Sequence, residues 1–140
     1  MEFRYPVTLT SAEEGGFVVT CRNLPEVVTQ GDDLADALEN AEGALQAAIE
    51  FRIERKLEIP APTKARKGEF LAAVPILTAM KAALYLATSG ARGACAKLAR
   101  GLGVNEKEAR RILDPHHPTK ASTVERALQV FGRRLRLSFE

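Results

Sequence analysis

The feature that most constrains this chain is a change of hydrophobic period near Pro75. Before it, apolar residues alternate singly or form one long helical stripe. After it, they recur in short helical stretches broken by glycine and proline. Sheets are organised by a period of two and helices by one of about 3.6. The change therefore marks a boundary between a sheet-based half and an all-helical half. The two domains are placed at residues 1–74 and 75–140.

In the first half Phe3, Tyr5, Val7 and Leu9 alternate with Glu2, Arg4, Pro6 and Thr8, which predicts a strand. Residues 11–16 are a turn cluster, and residues 17–21 a second apolar, β-branched run, so the pair reads as a hairpin. Pro6 has no N–H to give, which predicts an edge strand or a solvent-facing N side. A third strand is expected over residues 27–29, after Asn23-Leu24-Pro25. A long helix follows Gly31-Asp32-Asp33. Asp33 is its expected N-cap, with Asp36 and Glu39 opposing the positive end of the helix dipole. Leu34, Ala37, Leu38, Ala41, Leu45, Ala48, Ile49 and Ile53 form its apolar stripe. Pro60 and Pro62 forbid continuation beyond residues 55–57. A basic loop over residues 63–68 leads to a fourth strand over 69–74. The expected order is β-β-β-α-β, with one face of the sheet covered by the helix.

In the second half Pro75 starts a helix whose stripe is Ile76, Leu77, Met80, Ala83, Leu84 and Ala87, ended by Gly90. A second helix spans 94–102 and stops at Gly103. Asn105 caps a third over 106–113, ended by Asp114-Pro115. Ser122 and Glu125 have the spacing of a capping box for a fourth, which buries Val124, Ala127, Leu128 and Phe131 and ends at Gly132. A last strand over 134–139 sets Leu135, Leu137 and Phe139 against Arg134, Arg136 and Ser138. No second strand is expected in residues 75–133, so its unpaired backbone groups are predicted to meet the same strand of a second chain. That makes the protein at least a homodimer, with Leu135, Leu137 and Phe139 at the interface.

Residues 95–113 read as a helix-turn-helix. Ala99 is small where two helices cross, and Gly103, four residues on, takes the turn. Leu98, Leu102, Val104, Ala109 and Ile112 fix the crossing. Asn105, Glu106, Lys107, Arg110 and Arg111 remain outside the second helix, placed for base edges in a major groove. Arg reads guanine and Asn reads adenine by paired hydrogen bonds. Lys97, Arg100, Thr119 and Lys120 are candidate phosphate contacts. The charge agrees. The net +2 divides into −5 for residues 1–75 and +7 for residues 76–140. A basic half suits phosphate neutralisation, and an acidic half suits a partner of opposite sign. Gly101, inside the first motif helix, costs about 1 kcal/mol relative to Ala.

Several chemistries are excluded as expectations. No run of about 18 apolar residues exists, so no membrane span is expected. The first residues lack an apolar h-region, so no secretory signal is expected. Cys21 and Cys95 are far apart and outside any CxxC, which suits a reducing cytoplasm. His116-His117 has no nearby cysteine, so no metal is expected. Residues 3–10 and 17–21 carry no acid for a two-metal nuclease. No phosphate-binding or dinucleotide glycine loop, or nucleophile elbow, is present. The chain is therefore expected not to be an enzyme and to need no cofactor.

Several segments stand in a fixed order along the chain: Tyr5-Pro6-Val7-Thr8-Leu9-Thr10, Glu13-Glu14-Gly15-Gly16-Phe17-Val18-Val19-Thr20, Leu24-Pro25-Glu26 and Thr29-Gln30-Gly31-Asp32. Ala37-Leu38-Glu39-Asn40-Ala41, Pro60-Ala61-Pro62 and Lys81-Ala82-Ala83-Leu84-Tyr85 follow them. With these segments, across both halves, the chain resembles HicB-type antitoxins. The resemblance implies an α+β fold: a partial ribonuclease-H-like N-terminal domain, then an all-α helix-turn-helix domain with a short C-terminal strand. It implies that residues 1–74 bind and mask a HicA-like ribonuclease toxin, with Glu13, Glu14, Asn23, Glu26, Asp36 and Glu39 as candidate contacts. It also implies that residues 75–140 bind double-stranded operator DNA and repress the operon. The alternative is a dimeric helix-turn-helix regulator whose N-terminal domain senses a ligand or is purely structural.

Overall fold

A computed structural model describes residues 1–89 and 91–140; the expected helix end at Gly90 lies outside the described residues. The fold class is α+β, as expected, and the chain forms two compact units, Met1–Pro75 and Ile76–Glu140.

The first unit contains β1 (Arg4–Ser11), β2 (Phe17–Thr20), β3 (Val28–Gly31), α1 (Leu34–Glu54) and β4 (Glu69–Ala73). The sheet is antiparallel with order β3-β2-β1-β4, and Thr8 faces Thr20 on one side and Glu69 on the other. The β1–β2 turn uses Gly15 and Gly16 at φ 95° and 76°, a region open to glycine.

β1 is central, which corrects the edge placement inferred from Pro6. The reason is strand length. β2 covers only residues 8–11 of β1, so Pro6 has a neighbour in β4, opposite Leu71, and none in β2. An edge-like environment is thus created inside a central strand.

α1 covers the sheet with Ala37, Ala41, Leu45, Ala48, Ile49 and Ile53 buried. Tyr5, Val7, Val19, Leu24 and Val27 meet them in the core. Leu34, expected in the stripe, is exposed, because it stands in the first turn before the helix reaches the sheet. The N-terminus of α1 is doubly capped. Asp36 N–H donates to Asp33 Oδ1 and Asp32 N–H to Asp36 Oδ2, each at 2.8 Å. Gly31 sits against this turn. A Cβ there would lie 2.8 Å from the Asp36 carbonyl carbon and closer still to the Ala37 backbone. Beyond α1 the buried Tyr5 hydroxyl donates to Pro60 O at 2.7 Å, which anchors the proline segment.

The second unit contains α2 (Ile76–Thr88), α3 (Ala94–Leu102), α4 (Glu106–Leu113) and α5 (Ala121–Val130). Leu84, Leu98, Ala99, Ala109, Ile112, Val124, Ala127 and Leu128 form its core, with Phe131 partly buried against them. Gly101 belongs to this packing. A Cβ there would lie 2.6–2.7 Å from the methyls of Val130, so the glycine lets α3 approach α5.

Three expectations are corrected here. Ile76, expected in the stripe of α2, is 69% exposed; Met80, Ala83, Leu84 and Ala87 do meet the core, and the buried face widens to take in Thr78 and Lys81. The helix is apolar nearly all round, and its pattern alone does not choose a face. The Ser122 capping box does not form. α5 begins at Ala121 behind Lys120, which makes no side-chain cap bond. The expected terminal strand is also absent, since residues 133–140 carry no secondary structure in the single chain. A strand exists only where a second strand pairs with it.

Candidate nucleic-acid interface

The local sequence builds this site from a tight turn. Gly103 takes φ 68° and ends α3, and Val104 N–H donates to Ala99 O at 3.0 Å. Asn105 then starts α4, its Oδ1 accepting from Glu108 N–H at 2.8 Å. Leu98 and Ala99 of α3 pack with Ala109 and Ile112 of α4, which fixes the two helices against each other. The opposite side of α4 is left to solvent. Asn105, Glu106, Lys107, Arg110 and Arg111 are all exposed.

The arginines of this face are held loosely. Arg110 lies 3.8 Å from Glu106 and Arg111 3.3 Å from Glu108. Exposed pairs of this kind are worth about 0.3–0.5 kcal/mol, so an incoming phosphate or base displaces them cheaply. Lys97 and Arg100 stand exposed on α3, with Lys97 Nζ 5.3 Å from the centre of the Phe131 ring. Lys120 is exposed at the start of α5. Thr119 is half-buried, and its hydroxyl accepts from Lys81 Nζ at 2.7 Å. A phosphate would accept from this hydroxyl, so such a contact would compete with the 3.4 Å bond it donates to His117 O and leave the Lys81 bond in place.

The candidate toxin contacts are distributed differently. Glu13 and Glu14 are exposed on the β1–β2 turn. Asn23 Oδ1 accepts from the Thr63 hydroxyl at 3.1 Å. Asp36 caps α1. Glu26 forms a two-armed pair with Arg52 at 2.7 and 3.0 Å. That pair holds the Glu26 carboxyl below its ordinary value, against the opposing effect of burial. Glu26 and Glu39 line one shallow groove of about 730 Å³ between β3 and α1, floored by Gly43, Ala44 and Ala47. Val28 and Phe51 border it, 66% and 44% exposed. Sequence reasoning missed both; an aromatic residue off the stripe of α1 was the available signal.

Among the described residues no group of three or more His, Cys, Asp or Glu is gathered to hold a metal. Cys21 is buried and Cys95 half-buried, and both are free thiols. Burial pushes the Cys21 thiol up, away from the thiolate form. Among the described residues no helix is long and apolar enough to cross a membrane.

Residues 4–83 match the sequence profile of the HicB-like antitoxins of bacterial toxin–antitoxin systems. The chain is 37% identical over 134 residues to antitoxin HicB of Escherichia coli strain K12, covering 96% of this chain and 97% of the relative. The chain belongs to the HicB-like antitoxin family. Antitoxin HicB 1 of Photorhabdus laumondii is 39% identical over 137 residues, 98% of this chain and 87% of that protein. Antitoxin HicB of Pseudomonas fluorescens is 34% identical over 129 residues, 91% and 88% of the two chains. The matched profile ends at residue 83, before α3, so it does not extend to the α3–α4 pair. As a HicB-like antitoxin the chain has a toxin for a partner.

Proposed function

We propose that this antitoxin masks a HicA-like ribonuclease with residues 1–74 and represses its own operon with residues 75–140. It acts by binding, catalyses no reaction, needs no cofactor or metal, and works in the cytoplasm. The observation that carries the DNA half is α4 itself. An Asn-capped helix follows a glycine turn and presents one amide, one lysine and two arginines to solvent, in a unit of charge +7. The acidic balance of residues 1–63, with 5 basic and 12 acidic residues, supports docking of a basic ribonuclease. Leu135, Leu137 and Phe139 are 37%, 84% and 99% exposed, on a segment without an in-chain strand partner. That supports a homodimer or higher oligomer closed by two such segments.

The test uses the full chain and two deletions. Full-length protein should shift a duplex from its own promoter region at concentrations where a random duplex stays free, and should protect cells from the co-expressed toxin. Deleting residues 134–140 should lower the mass in light scattering towards monomer and weaken promoter binding more than toxin protection. Unchanged mass with intact repression rejects the dimer. Expressing residues 1–74 alone should still protect; protection by residues 75–140 instead rejects the division of labour.

A further inference from the structure

Lys81, on α2, is the buried charged side chain of the described residues, only 1% exposed. An ammonium has three N–H donors and no acceptor. All three are used: Nζ donates to Ile112 O at 2.7 Å, Thr119 Oγ1 at 2.7 Å and Arg111 O at 3.3 Å. The two carbonyls belong to the last turn of α4, where a helix has no N–H of its own to offer. Asp114 N–H reaches back to Arg110 O and Arg111 O, leaving Ile112 O for the lysine. Thr119 stands just before the first residues of α5. One ammonium thus ties α2 to the end of α4 and the start of α5. A cation at this end also opposes the negative pole of α4.

An apolar residue would fill the same space without the cost of burying a charge. The lysine therefore does something that packing alone does not. α4 has only eight residues and two buried side chains, Ala109 and Ile112. A helix this short does not hold its own position. Its first end is set by the Gly103 turn and the Asn105 cap, and its last end by Lys81.

We propose that Lys81 is a positioning residue for DNA readout, holding the C-terminal end of α4 so that Asn105, Arg110 and Arg111 meet one groove together. This rests on the helix-turn-helix reading. Base edges are read by hydrogen bonds of fixed geometry, whereas phosphates accept approach from many directions. Loosening the last turn of α4 therefore weakens sequence-specific binding and spares non-specific binding.

The experiment compares full-length wild type with Lys81→Met, well below their melting temperatures. The probes are a duplex from the chain's own promoter region and a random duplex of equal length. Lys81→Met should lose tenfold or more in affinity for the promoter duplex and less than twofold for the random one. Backbone amide exchange over residues 110–119 should speed up without DNA, with toxin protection retained. Equal losses on both duplexes, or an unchanged promoter affinity, overturn the proposal. A wild type that binds both duplexes alike removes the DNA reading itself, and the positioning role with it. If Lys81→Met does not fold, Lys81→Gln, which keeps part of the donor set, replaces it: a loss of threefold or more on the promoter duplex with less than twofold on the random one is expected, and equal losses or an unchanged promoter affinity overturn the proposal.

Discussion

The two units carry opposite charge and spend it in different places. In the sheet unit several acids are committed to the fold, while Glu13 and Glu14 stay exposed on the β1–β2 turn. Glu26 grips Arg52, Asp36 caps α1, and Glu69 takes both arms of Arg22 at 2.9 and 3.1 Å. In the helical unit the outer face of α4 keeps its cations on the surface, in pairs of 3.3 and 3.8 Å, and the buried cation faces carbonyls instead of an acid. Net charge alone does not distinguish these cases. A charge bonded within the fold contributes to stability, and a charge left in water is available to a partner.

The largest effect is expected at Gly31. Gly31→Ala forces a methyl into the Asp36–Ala37 backbone and should cost about 3 kcal/mol or more. In denaturant melts the loss should fall on the strand-rich transition, with the helical signal of the second unit little changed. Equal loss in both would show that the units do not unfold separately.

Surface charge should show the reverse pattern. Arg110→Ala or Arg111→Ala should leave the melting midpoint within the change of about 0.5 kcal/mol usual for exposed sites. Each should cost about 1 to 3 kcal/mol of promoter binding where the arginine reads guanine, as titrated by anisotropy. Lys97→Ala and Lys120→Ala should instead lower affinity evenly for all duplexes and flatten the salt slope.

Alkaline pH separates the units by sign. Burial pushes Lys81 down from 10.5 to about 8, with Asp114 pulling upward. The unfolded chain then holds more protons between these values, so this group adds stability as pH rises through that window. Burial pushes the Tyr5 hydroxyl up from 10.0 to about 12, so the sheet unit loses stability above pH 10. Stability of wild type relative to Lys81→Met should therefore rise by about 1–2 kcal/mol from pH 8 to 10.5. A flat difference would mean that the lysine keeps its proton throughout.

The smallest effect is expected at Glu26. Its carboxyl is held below 4.5, so its contribution is present above that value and fades as pH falls through the depressed one. Glu26→Gln should cost about 1 kcal/mol or less at neutral pH and nothing at the acid end, read by the same melts.

What the sequence revealed depended on how local the determining contacts are. The caps at Asp33 and Asn105 and the turn at Gly103 are settled within four residues, and each was legible. The side of α4 left to solvent was legible too, because its polar face is continuous. Pro6 misled because its surroundings depend on how far β2 reaches, which no residue near Pro6 reveals. Ser122 misled because the helix starts at Ala121, two residues before the start that a Ser122 cap would set. Lys81 was invisible for a related reason. Its three acceptors are 30 to 38 residues away, and an isolated lysine on a helix ordinarily reads as a solvent contact. Gly101 looked like a defect of α3 until Val130 was found beneath it.

The pairing of β1 with β4 has a consequence for synthesis. The central strand emerges first from the ribosome but must wait for residues 69–73 before its second neighbour exists. Both compact units are continuous in sequence, so nothing beyond residue 75 is needed to close the sheet. Translation at about 5–20 residues per second leaves roughly 3 to 13 s while residues 76–140 are still being made. Residues 1–75 contain every strand of the sheet and the whole lining of its groove, so both are encoded ahead of α4.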